Sequence, residues 1–390
     1  MVVRGGKIAA VGGAGLGVPE GAKRVSLSGK HLFPAMIDPN TMIGLVEIGS
    51  VKGTVDTAET GTINPDIRVE VAVNPSSEAI PVTRANGVLF ALTVPQGSLL
   101  RGTSALLRLD GWTWEEMTLR APVGMHLTWP RVSVPTGWWE PKKSEEDIRK
   151  EKEEALKDLK KAIEAGRAYL KAKRAAAEGK AQPPEMDTKS EAMIPLLEGR
   201  IPMIVDANDV RQIKDAVEWA EKEKIPLILS GARDGWRVAE LLAKKHVPVI
   251  LGPVLSVPSR EDEPYDTAYT NAAKLREAGV LIAFSAGGAS NVRILPYQAA
   301  MAAAFGLPKN EALRGVTLYP ARILGVEDRL GSIEAGKDAS FIVTDGDPLE
   351  IRTLVLSAWI EGREVSLENK HKQLYEKYRS RPFPATVAGK

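Results

Sequence analysis

The sequence predicts an α/β protein built as a (β/α)8 TIM barrel, and three observations point there. Eight short apolar runs are bounded by turn residues, the form taken by strands buried on both faces. They are Phe33 to Ile37, Val88 to Thr93, Ser104 to Leu109, Val123 to Leu127, Met203 to Ala207, Leu227 to Leu229, Val249 to Leu251 and Leu281 to Phe284. Segments of helical period separate the later runs, as a parallel barrel requires: Val210 to Glu223 places Ile213, Ala216, Val217 and Ala220 on one face, and Trp236 to Lys245 does so with Val238, Leu241 and Leu242. The 390 residues, 44% hydrophobic and 26% charged, are enough for one large barrel and a small accessory unit.

The ends read differently from the middle. Residues 1–30 alternate β-prone runs, Lys7 to Val11 and Arg24 to Leu27, with Gly-rich turns, as a small antiparallel sheet would. Gly331 to Val365 repeats that pattern, with strands at Ser340 to Val343 and Leu354 to Ile360 split by the turn Asp345-Gly346-Asp347-Pro348. One element stands outside the repeat. Ser144 to Gly179 is a long Lys/Glu-rich helix with Ile148, Leu156, Leu159, Ile163 and Leu170 down one stripe, opened by a capping box of Ser144 with Asp147. A charge run of this kind is ordinarily a solvated face. As an insertion after the fourth strand it would rise from the catalytic face, so the alternative is a lid or a subunit contact.

Several motifs in order carry a family resemblance: Val2 to Gly12, then Pro34-Ala35-Met36-Ile37-Asp38, and later Asn310-Glu311-Ala312-Leu313, Pro320 to Gly325 and Leu330 to Ala339. The chain resembles the amidohydrolase superfamily, in its imidazolonepropionase-like branch. That resemblance implies that the two ends meet in one β-sandwich, formed by 1–32 with 326–390, around a barrel of 33–325 with a helical insertion at 140–190. It also implies one or two divalent metals that activate water, held by imidazoles and carboxylates at the C-terminal ends of the strands.

At those positions the chain departs from the family. Asn40 and Met42 stand in place of the paired histidines after the first strand, Asp206 and Ser230 in place of the lone histidines after strands five and six, and Ala286 in place of the aspartate that serves as ligand and base. No metal and no other cofactor is expected, because too few donors remain. A metal-free set is the alternative: His126, Asp206 and Asp234 as acid/base groups, with Ser230 or Ser285 as nucleophile. The bland reading is that these groups satisfy one another across a mouth without an ion. Gly287-Gly288 reads as a tight turn leaving strand eight rather than a phosphate loop. Trp112, Trp114, Trp129 and the pair Trp138-Trp139 should emerge on one face, where the first three with Arg131 are ligand-binding candidates for an amphipathic small molecule or a peptide. The run Arg260 to Asp266 reads as a solvated acidic rim.

Composition narrows the partners. With 52 basic and 50 acidic residues the net charge is +2, so no broad field draws nucleic acid or a membrane surface. Zero cysteines exclude disulfides and thiolate chemistry. No run reaches the roughly 18 apolar residues of a membrane span, and the expected compartment is the cytoplasm, or the periplasm if a leader has been removed. Three readings follow: a non-catalytic amidohydrolase-fold protein, kept for ligand binding or as a subunit of a homo- or hetero-oligomer with an active relative; a metal-independent hydrolase of an amide, ester or lactone; and a shifted hard-ligand metal site from Asp206, Asp209, Asp234 and His126.

Overall fold

Fully buried apolar strands alternating with one-faced helices have a stable solution in a closed cylinder, and the computed structural model, which describes residues 1–13, 15–134 and 143–382, has that form. The chain enters through β1 (Val2–Arg4), β2 (Lys7–Ala10) and β3 (His31–Pro34). The wall follows: β4 (Met36–Thr41), β5 (Val88–Thr93), β6 (Leu100–Thr103), β7 (Ala105–Arg108), β8 (Thr118–Arg120), β9 (Met125–Thr128), β10 (Met203–Ala207), β11 (Leu227–Gly231), β12 (Val249–Leu251) and β13 (Ile282–Phe284). It leaves through β14 (Phe341–Thr344), β15 (Val355–Ile360) and β16 (Arg363–Val365).

The third predicted run differs from expectation. Strands β4 and β5 are parallel, as are β9 to β13, but the stretch from Leu100 to Arg108 runs the opposite way. It is antiparallel to β5 through β7, and to β8 and β9 on its other side. It begins at Leu100, not Ser104. The reason is the length of the connection: β5 ends at Thr93 and β6 starts at Leu100, whereas a parallel crossover needs a dozen or more residues. The upper half of this strand leans on residues 62–68 instead of β5, with bridges Ile63 to Leu100 and Arg68 to Thr103. That approach is tight enough to demand glycine at 102, where φ is +103° and a Cβ would lie 2.5 Å from the Ile67 carbonyl oxygen.

The cylinder closes between β13 and β4 through a segment from beyond the eighth strand. Ile37 N–H donates to the Val316 carbonyl at 2.9 Å and Phe284 N–H to the Gly315 carbonyl at 3.0 Å. Gly315 sits against the Phe284 ring, where a Cβ would come within 2.7 Å. At the entrance and exit, β1 pairs with β2, and β3, β14, β15 and β16 form a four-stranded antiparallel sheet. The two sheets join through Ile8 N–H to Lys337 O and Ala339 N–H to Gly6 O, over a small core of Ile8, Ala339 and Phe341.

The long helix spans Glu145–Ala177 and opens with the expected capping box of Ser144 and Asp147. It buries Ile148, Leu159, Ile163 and Gly166. Lys152 to Asp215 at 2.5 Å and Arg167 to Glu223 at 2.6 Å bind it along the helix Val210–Glu223. It therefore lies against the outside of the barrel as the crossover from β9 to β10, and is not a lid over the mouth. The helix Val210–Glu223 ends at Lys224 in the left-handed region, φ 56°, with its N–H on the Ala220 and Glu221 carbonyls. A side chain at such a position costs energy that glycine avoids. Lys224→Gly is expected to raise stability by about 0.5–1 kcal/mol, read as a higher denaturant midpoint at constant slope.

Candidate functional site

In a barrel of this kind the reactive positions are the strand tips, and here the tips are bonded to one another. Asn40, at the end of β4, donates its side-chain amide to Ser230 Oγ on β11 at 2.9 Å. Ser285, just past β13, donates its hydroxyl to the Asn40 carbonyl at 2.7 Å and accepts from Gly287 N–H at 3.1 Å. Beneath them Asp38 accepts from Asn40 N–H at 3.2 Å and from Ala286 N–H at 3.0 Å. Met42 N–H donates to the Gly288 carbonyl at 2.9 Å, and Gly287 and Gly288 have φ of 67° and 66°, which makes them the turn leaving β13. Burial pushes the Asp38 carboxyl up to about 7, against the opposing pull of the bonds from Ala286, Ser285 and Asn40.

Across the mouth Asp206, on β10, meets Arg101, whose Nη2 lies 2.6 Å from Oδ2. Arg101 is 3% exposed in its side chain. It comes from the reversed strand, at the register shift between Leu100 and Gly102, and a bulge is a common way to re-aim a side chain. His126 on β9 is buried, and neither its Nε2 nor Arg101 Nε has a hydrogen-bond partner. Burial, and next the positive charge of Arg101, hold the imidazole well below its ordinary range. It is a neutral ring at physiological pH. Because a buried polar atom without a partner costs energy that an apolar group does not, His126→Leu is expected to be neutral or stabilising by about 1 kcal/mol near pH 8, measured by urea unfolding. A loss of several kcal/mol would show that the ring has a partner after all.

Asp234 belongs to a different cluster. Its two oxygens receive Arg260 at 2.9 and 2.6 Å, and Oδ2 also accepts from Val210 N–H at 3.1 Å. Arg260 further reaches Asp209 at 3.5 Å and Glu263. Burial alone would raise the Asp234 carboxyl, but the bonds and charge of Arg260 hold it below its ordinary value. The run that reads as a solvated rim thus turns its arginine inward and ties the loop after β12 to the loop after β11.

The structure also separates the tryptophans. Because the strand before them is reversed, Trp112 and Trp114 emerge at the end opposite the mouth, and Trp112 is 90% exposed. Trp129 is buried and meets Trp219 edge-on at 5.8 Å. Trp138 and Trp139 lie outside the described residues. Arg131 lines a cavity of about 310 Å³ with Leu99, Pro130 and Ile148. Arg101 lines another of about 450 Å³ beside Asp56, Asp66, Arg68 and Gln96. Met42 lines a third of about 400 Å³ with Glu78, Arg293 and His371.

A divalent cation does not fit this donor set. No group of three or more histidine, aspartate or glutamate side chains converges among the described residues. Asp206 is occupied by a guanidinium, while Asp209 and Asp234 are held by Arg260, away from His126 in bonding terms. Ser230 bonds Asn40, and Ser285, though beside the Asp38 carboxyl, gives its hydroxyl proton to the Asn40 carbonyl. Three of the residues that shape the mouth, Asp38, Arg101 and Arg260, are absent from the sequence-derived candidates. Asp38 is signalled by its place in the Met36-Ile37-Asp38 motif; Arg101 becomes visible only once the strand direction is known.

With this geometry in hand, comparison with known proteins is direct. A sequence profile of the Amidohydrolase family matches residues 237–367. The crystal structure of an amidohydrolase from Thermotoga maritima MSB8 superposes with a TM-score of 0.81 at 28% identity, covering 94% of each chain. An amidohydrolase of Hapsidospora irregularis, tasK, is 42% identical over 72 residues, 18% of this chain and 7% of its own length. An imidazolonepropionase of Aeromonas hydrophila is 37% identical over 110 residues, 26% of this chain and 27% of that protein. The matches therefore span a small part of these curated relatives. The chain belongs to the amidohydrolase superfamily. Among the described residues no helix is long and apolar enough to cross a membrane.

Proposed function

We propose that this amidohydrolase-fold protein is not a hydrolase, and serves as a ligand-binding or structural subunit in an assembly with chains of the same fold. The observation that supports it is the bond from Asn40 to Ser230. Two positions that the superfamily gives to metal-binding histidines hold neutral side chains that are hydrogen-bonded to each other. Loss of the base position to Ala286 adds to this, since no carboxylate there can take a proton from water. Subunits that share a fold can share an interface, and a small molecule or peptide is the class of ligand that the barrel-mouth cavities would accept.

The test is a panel of amide, ester, lactone and dipeptide substrates, assayed with and without added Zn²⁺, Fe²⁺ or Mn²⁺. No turnover above background is expected under any condition. Metal-stimulated hydrolysis would overturn the reading. A second reading, metal-independent hydrolysis, has one supporting feature: a carboxyl titrating near neutrality, Asp38, beside the Ser285 hydroxyl. Metal-independent turnover abolished by Ser285→Ala would favour it. Against it, Asp38 and Ser285 are both buried, and the hydroxyl proton is already given to the Asn40 carbonyl.

A further inference from the structure

We propose that Arg101 is this chain's internal replacement for the divalent cation of the superfamily, a permanent positive charge that holds the barrel mouth together by neutralising Asp206. The inference deepens the non-hydrolytic reading and rests on it in one respect, that no ion is needed to hold the strand tips.

The argument begins with charge. Among the groups described at the tips, Asn40, Ser230 and Ser285 are neutral, and Asp206 bears a negative charge. Metal-bearing barrels place an ion beside such a carboxylate; here a guanidinium lies 2.6 Å from it. Its side chain is 3% exposed against 30% for Asp206, so the arginine is the buried charge and the carboxylate its necessary counter-charge. Two backbone features exist to deliver it. The strand carrying Arg101 is reversed, which brings residue 101 to the level of the β9 and β10 tips. Its register shift between Leu100 and Gly102 re-aims the side chain inward, and Gly102 is the residue that lets the strand bulge against the Ile67 carbonyl. A divalent cation placed beside the same carboxylate would meet this guanidinium as a like charge, so the arginine also excludes the ion it replaces.

The experiment is a double-mutant cycle on the full chain, read by thermal unfolding. Millimolar Zn²⁺, Mn²⁺ or EDTA should leave the Tm of the parent protein unchanged. Asp206→Leu, which strands the buried guanidinium, should lower Tm by about 4–6 °C. Asp206→Glu, which keeps the counter-charge, should lose less. The double variant Arg101→Met/Asp206→Leu should recover most of the loss, since removing both charges relieves the unpaired group. If Asp206→Leu cannot be purified folded, the double variant still decides, because the proposal requires it to fold. A parent Tm raised by metal or lowered by EDTA would overturn the proposal, as would a double variant no more stable than Asp206→Leu. Metal-independent turnover in the substrate panel would sink the non-hydrolytic reading while leaving this cycle's outcome intact.

Discussion

Replacing Arg260 with alanine is expected to destabilise the fold by about 3–5 kcal/mol, the cost of leaving a buried partner charge uncompensated. Asp234 is buried, and Arg260 supplies both of the charge-assisted bonds that reach its oxygens from another side chain. Without them only Val210 N–H remains. Lysine at 260 should recover a minor part, because a single ammonium cannot bond both oxygens in the fork geometry of a guanidinium. Urea unfolding measures this as a lower midpoint with little change in slope. A variant within half a kcal/mol, roughly the scatter of ordinary surface substitutions, would mean that Asp234 is solvated once the loop relaxes. The same variant should free the loop after β12, so limited proteolysis between Val257 and Asp266 is the second readout.

Two buried groups at the barrel tips give stability an unusual dependence on pH. Asp38 titrates at about 7 in the fold and at 3.8 when unfolded, so between those values the folded state binds the extra proton. Its contribution therefore falls as pH rises from about 4 to 7, by about 4 kcal/mol in all as an order of magnitude. His126 works the other way. Its folded value lies well below the ordinary 6.5, so below that pH the unfolded state binds the extra proton and stability falls as pH drops. In the parent protein the two slopes oppose each other below about pH 6.5, and a shallower profile than either group alone would give is expected there. Single variants should expose each slope. With His126→Leu, stability should decline steadily from pH 4 to 7; with Asp38→Asn, it should instead rise with pH below about 6.5. Asp234, held below its ordinary value, adds a loss only at more acid pH. Urea midpoints at several pH values measure all three proteins, and parallel profiles would show that neither group titrates as described.

What was legible in the sequence follows from what each signal encodes. Apolar runs report burial, so the strands of the cylinder were visible, and Ser144 with Asp147 announced the start of the long helix. Burial carries no direction. The run beginning near Ser104 looks the same whether it ascends or descends, and only the short connection from Thr93 reveals the reversal. From that one reversal came the misplacement of Trp112 and Trp114 and the failure to see Arg101 at the mouth. The altered positions Asn40, Ser230 and Ala286 were readable one at a time, yet their mutual bonding was not, because residues 190 apart in sequence meet only through the closed wall. Arg260 was hidden for a different reason: a single inward-turning charge inside an acidic run leaves no trace in composition.

The wall's last join has a consequence for how the molecule is made. Ile37, in the first parallel strand, and Phe284, in the last, both give their amide protons to carbonyls at 315 and 316. A nascent chain that has already emerged from the ribosome through residue 284 holds all the staves of its cylinder and still lacks the clasp. Until Gly315 arrives, two exposed strand margins are open to foreign pairing, which makes that interval of synthesis the one in which a chaperone has most to protect.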